Sequence, residues 1–141
     1  MNSNEMLDSI YTYIEWYREN GNTASINDLL DCRDTISTWC YNLAEKTGDE
    51  KTDYNMACFI RTIEVSRTKQ ALIKKGSKIG HADIQALIEN EGLFKQEIIH
   101  ESYAFKLDLL LKSAYKVLDA ISQRVSYLKV EESNTKYQNQ T

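Results

Sequence analysis

The stretch 107–128, LDLLLKSAYKVLDAISQRVSYL, decides the fold. Leu107, Leu111, Ala114, Leu118, Ile121, Val125 and Leu128 alternate steps of four and three residues without a miss. That spacing lays their apolar side chains along one face of an α-helix, on a heptad seam that packs against another helix. Leu110 and Val117 widen the stripe, as in a bundle rather than a simple two-stranded coil. Read backwards, the seam reaches Ala104, His100 and Glu97, so it weakens towards the N-terminal side. Forwards, the polar and patternless SNTKYQNQT after Glu132 predicts a disordered tail over 133–141.

Working outward, this helix is expected to run from about Ala82 to about Glu131. Before it, Gly76-Ser77-Lys78-Ile79-Gly80 holds two glycines within five residues and reads as a turn. From Thr52 to that turn, Met56, Ile60 and Ile63 share one helical face, and Cys58, Val65 and Leu72 form a second line. Further back, Ile26, Leu29, Ile36, Cys40 and Leu43 recur at helical spacing, interrupted by Arg33, with Ser25 or Thr23 as cap. Leu7, Ile10, Ile14 and Tyr17 mark a first helix, stopped at Asn20-Gly21-Asn22. Gly48 is a weak point, but no proline or Asn-Gly pair enforces a turn there, so a continuous or slightly kinked helix is expected.

The chain has 141 residues, no proline and five glycines, and 42% of it is hydrophobic. With so little to interrupt helices, the expected fold is all-α. A single helical domain over 1–132 is expected, with N-terminal helices over 1–47. A long antiparallel, coiled-coil-like helical hairpin over 52–131 would have its tip at 76–81. The wide stripe, Trp16, Trp39 and nine tyrosines exceed what one hairpin buries, so a homo-oligomer is expected. A compact monomeric four-helix bundle is the alternative.

The net charge of −4 hides an uneven distribution. Residues 1–59 carry 4 basic and 11 acidic side chains, whereas residues 60–80 carry 6 basic and 1 acidic. Two candidate binding surfaces follow. The acidic one comprises Asp28, Asp31, Asp34, Glu45, Asp49, Glu50 and Asp53, which suit a basic groove on a partner. The basic one comprises Arg61, Arg67, Lys69, Lys74, Lys75 and Lys78, offset only by Glu64. If this segment is helical throughout, Arg67, Lys74 and Lys78 share a face that suits phosphate groups of a nucleic acid. No aromatic side chains interleave with these cations, which argues against a stacking platform for single strands. The plain alternatives are a solvated acidic surface, and cations paired with Glu89, Glu91 or Glu97 across the hairpin.

No catalytic motif is present: there is no phosphate-binding loop, dinucleotide fingerprint, GxSxG or HExxH. The chain is therefore read as a non-enzyme without cofactor or metal. Cys32 and Cys40 stand two helical turns apart, about 11 Å, too far for one zinc ion. Glu97-Ile98-Ile99-His100 matches the Glu-x-x-His spacing of di-metal bundles once, where two copies are needed. Nothing in the sequence brings Cys58 to His100 as nucleophile and base, and a buried thiol with a hydrogen-bonded imidazole is the simpler reading. The opening stretch carries acids, unlike a signal or transit peptide, and no apolar run approaches a membrane span. With three cysteines and no CxxC, reduced thiols in a cytosol are expected.

From Phe59 to Lys129 the chain resembles small phage-encoded helical proteins. The likeness is carried by the basic helix from Arg61 to Lys75, the Gly-x-x-x-Gly at Gly76 and Gly80, and the ending Val117-Leu118-Asp119-Ala120-Ile121-Ser122-Gln123-Arg124-Val125-Ser126-Tyr127-Leu128-Lys129. In size, acidic balance and lack of motifs the chain is also similar to anti-CRISPR inhibitors. The resemblance implies a phage origin and action in the host bacterial cytoplasm. It also implies inhibition, by protein–protein contact, of a bacterial defence protein such as a CRISPR nuclease. A nucleic-acid-binding accessory of phage recombination or replication is the alternative, and an oligomeric sponge for a nucleotide signal is another.

Overall fold

The computed structural model describes residues 3–140. These residues form an all-α fold with a long helical hairpin, and no strand occurs among them. The helices are α1 (Ser3–Asn20), α2 (Ile26–Lys74), α3 (Ile79–Glu89) and α4 (Glu91–Gln138).

The breaks between helices have local causes. Gly21 ends α1, its N–H donating to the Tyr17 carbonyl at 2.7 Å. A Cβ at Gly21 would stand 2.6 Å from both that carbonyl oxygen and the Tyr17 ring, so only glycine fits. Ser25 caps α2, its Oγ accepting the Asp28 N–H at 3.2 Å. Gly48 lies inside α2 in open space, and the helix is continuous through it. Gly76, at φ +100, closes α2. Its own N–H donates to the Ile73 carbonyl, and the Ser77 N–H donates to that of Leu72, the paired bonds of a glycine-terminated helix.

Two expectations are corrected. The last helix is not one element from Ala82, because Asn90 divides it. The Asn90 side-chain amide donates to the Ala86 carbonyl at 2.8 Å and to the Thr68 hydroxyl of α2 at 3.0 Å, which fixes the break. Nor is 133–138 structureless, since α4 continues to Gln138; Thr141 of the expected tail lies outside the described residues. No glycine or proline follows Gly92 to stop it, and Thr135 and Asn139 both bond back one turn.

The chain divides into two compact units, residues 1–45 with 108–141, and residues 46–107. The first unit has an aliphatic core. Met6 and Ile10 of α1 are buried, as are Leu29, Cys32, Ile36, Cys40 and Leu43 of α2, and Leu110, Ala114, Ile121 and Val125 of α4. Burial pushes the Cys32 thiol up to about 11 and raises that of Cys40 as well. Arg124 donates to the Asn22 carbonyl at 3.0 Å, while its Nε is buried without a partner.

The second unit is built differently. The C-terminal part of α2 runs antiparallel to α3 and the start of α4: Thr68 meets Asn90, Arg61 meets Glu97, and Lys46 sits over the Tyr103 ring. Its buried side chains are mostly small: Thr47, Ala82, Ala86 and Ala104, with Leu107. Large aliphatic side chains lie on its outside instead.

Candidate functional site

A hydrogen-bonded polar cluster of the second unit sits on the weak part of the seam. Glu97 accepts two bonds from Arg61, from Nε at 2.6 Å and from Nη2 at 3.0 Å. The Cys58 thiol donates to the same carboxylate at 3.1 Å. The Arg61 guanidinium also covers the Phe94 ring, 5.1 Å from its centroid. The bond from Arg61, then that from Cys58, holds the Glu97 carboxyl below its ordinary range, while Glu97 raises Arg61 further. The Tyr54 hydroxyl is pushed up, first by its hydrogen bond with Cys58. A carboxylate kept ionised and doubly bonded to a guanidinium is a poor proton acceptor. The cluster therefore clamps two helices at a seam position where an apolar residue is missing.

The other basic residues are scattered. Arg67 pairs with Glu64 on its own helix at 2.8 Å, and Lys69 reaches Asp83 of α3 at 2.6 Å. Lys74, Lys75 and Lys78 surround the turn after α2 and have no carboxylate partner among the described residues. The single face expected for Arg67, Lys74 and Lys78 does not form. Gly76 ends the helix first, and Lys78 lies in extended backbone at φ −66, ψ 147.

All seven acidic candidates fall on α2. Asp34 takes the neighbouring Arg33 at 3.4 Å. Asp28 and Asp31 border an open depression with Tyr13, Trp16 and Cys32 in the first unit. Glu45 and Asp49 are exposed. Glu50 and Asp53 approach His100 of α4, with one ligand atom from each residue lying within 4.8 Å of the others. Two carboxylates and an imidazole are donors that zinc and manganese accept. The same trio also arises where a seam histidine meets a solvated acidic helix. Sequence reasoning paired His100 with Glu97 on its own helix. The packing instead pairs it with residues far away in sequence, as spacing within one helix does not reveal.

Beside His100, Met56, Ala57, Ile60, Leu93 and Gln96 line an open groove of about 450 Å³. A third depression, in the first unit, is bounded by Ala24–Ile26 and the last turns of α4, from Leu128 to Lys136. None of these three depressions includes a residue of the basic segment 60–80 except Ile60.

The sequence reading missed a second apolar line, on the outside of the second unit. Ile84, Leu87 and Ile88 of α3 and Ile98, Ile99 and Phe105 of α4 are exposed. Their spacing was visible, but the stronger seam at 107–128 absorbed the assignment of faces.

Compared with known protein families, characterised proteins and solved structures, the chain gives no match. No described helix is long and apolar enough to cross a membrane.

Proposed function

We propose that this chain is a phage-encoded binding protein that inhibits a host nucleic-acid-targeting defence effector, such as a CRISPR nuclease, by protein–protein contact in the host cytoplasm. The observation that carries the reading is the run of carboxylates on α2. Asp28, Asp31, Glu45 and Asp49 are exposed and have no basic partner among the described residues. A protein that binds nucleic acid presents a basic channel, and unpaired carboxylates along a helix are chemically suited to occupy it. On this reading the chain is not an enzyme: the polar cluster around Glu97 has its groups engaged with one another.

The test is affinity capture of the tagged chain from a bacterial lysate, with and without nuclease treatment. The expected result is a defence nuclease retained in both samples. Asp28→Asn, Asp31→Asn and Asp34→Asn together should reduce its retention several-fold. Unchanged retention by the triple variant overturns the acidic contact.

One observation favours a second reading, as a nucleic-acid-binding accessory of phage recombination or replication. Lys74, Lys75 and Lys78 crowd one turn without acidic partners. Direct binding through them predicts a salt-dependent affinity whose logarithmic slope falls by about 0.9 for each phosphate contact removed. A partner set that disappears after nuclease treatment, together with such a slope, decides for this reading.

A further inference from the structure

The second unit is turned inside out along α3. Ala82 and Ala86, both 0% exposed, face its interior, while Ile84 at 62%, Leu87 at 48% and Ile88 at 60% face away. The outside of α4 continues in kind, with Ile98 at 61%, Ile99 at 58% and Phe105 at 61%. A helix facing only solvent has its large aliphatic side chains on the other side. At roughly 100 Å² of exposed surface for each large apolar side chain, these six expose about 600 Å². That lies at the upper end for the largest apolar patch of a monomer, about 300–600 Å². It also approaches the roughly 800 Å² that each partner contributes to a standard stable interface.

The charges around the patch say what covers it. Glu91 and Lys95 flank its middle and are exposed, 3.2 Å apart on their own helix. The face can be laid antiparallel on the same face of a second copy, with Ile88 opposite Ile98 of the second copy. That register also sets Leu87 opposite Ile99 and Glu91 opposite Lys95. Under a two-fold axis each contact occurs twice, so both carboxylates meet an ammonium group and Leu87, Ile88, Ile98 and Ile99 meet one another, while Ile84 and Phe105 lie opposite Ser102 and His81 at the rim. We infer that the chain is a two-fold symmetric dimer, closed by the outer face of α3 and the start of α4 in antiparallel register. A dimer or a monomer can equally inhibit an effector, so this inference stands apart from the partner proposed above.

The experiment is sedimentation equilibrium of the full chain and its variants, with far-ultraviolet circular dichroism as the check on folding. Wild type is expected at the mass of two chains, dissociating on dilution. Ile88→Glu with Ile98→Glu should give a monomer of unchanged helicity, since both positions are exposed within one chain. Glu91→Lys should weaken the dimer roughly ten-fold, because two attractive pairs become repulsive. Glu91→Lys with Lys95→Glu should restore it. A wild-type monomer, a trimer, or a dimer that survives the double glutamate variant overturns the interface. A charge reversal without effect, or without rescue, overturns the antiparallel register.

Discussion

The two units solve the packing of amphipathic helices in opposite ways. In the first, leucines and isoleucines of three helices meet inside, and five of its seven exposed large apolar residues are tyrosines: Tyr11, Tyr41, Tyr115, Tyr127 and Tyr137. Tyrosine tolerates that place because its hydroxyl stays in water. In the second unit the interior is lined mainly by alanines and one threonine, with Leu107 at one end, and the outside carries Met56, Phe59, Ile60 and the isoleucines of α3 and α4. Small inward residues let helices approach closely but remove little apolar area from water. The first unit therefore has a core of its own. The second is held by a polar clamp at Glu97 and, on the inference above, by a second copy of its outer face.

The sharpest way to break this contrast is to truncate one apolar side chain in each unit. Ile36→Ala removes a fully buried side chain from the first unit and should lower stability by about 2–5 kcal/mol. Phe59→Ala removes a larger but exposed one from the second and should change stability by no more than about 0.5 kcal/mol. Urea unfolding of both variants measures the difference, and equal losses would refute the division into a packed and an unpacked unit.

A smaller effect separates two glycines. Gly21→Ala in the first unit drives a methyl group against the Tyr17 carbonyl and ring and should be destabilising. Gly48→Ala in the second meets nothing within 4 Å and should stabilise α2 by about 1 kcal/mol, the ordinary helix preference for alanine. Thermal melts of the pair give opposite signs if Gly21 is required by packing and Gly48 is not.

A further effect is read in alkali. The Cys32 thiol is raised from 9.0 to about 11 by burial, so the folded state keeps its proton where the unfolded state has lost it. Its contribution to stability is full below about pH 9 and disappears as the pH rises through about 11. Denaturation between those values should show stability falling with pH, and Cys32→Ala should flatten that slope. Thiol labelling at neutral pH sharpens the point: half-buried Cys58 should react first, with Cys32 and Cys40 reacting only on unfolding.

Several features were legible in the chain itself. Alternating steps of four and three along 107–128, with no proline anywhere, determine long helices because only one helical face can be apolar at that spacing. Ser25 as a cap and Gly21 as a stop were readable because each acts through its own backbone turn. The end of α2 was legible to within a residue or two, since Gly76, alone among the described residues, adopts a positive φ. The charge asymmetry was also in the sequence, but its consequence was not. Whether Arg61 was available to a phosphate depended on Glu97, thirty-six residues away, standing opposite it.

Tertiary structure alone decided the remainder. Asn90 breaks the last helix because Thr68, on another helix, offers its side chain a hydroxyl. His100 faces Glu50 and Asp53 because antiparallel packing brings them together. In α3 the pattern offered two faces, one of alanines and one of isoleucines, and hydrophobicity by itself favours burying the larger. Close approach to α2, fixed at Thr68–Asn90 and Lys69–Asp83, leaves room for methyl groups only, so the isoleucines are left outside.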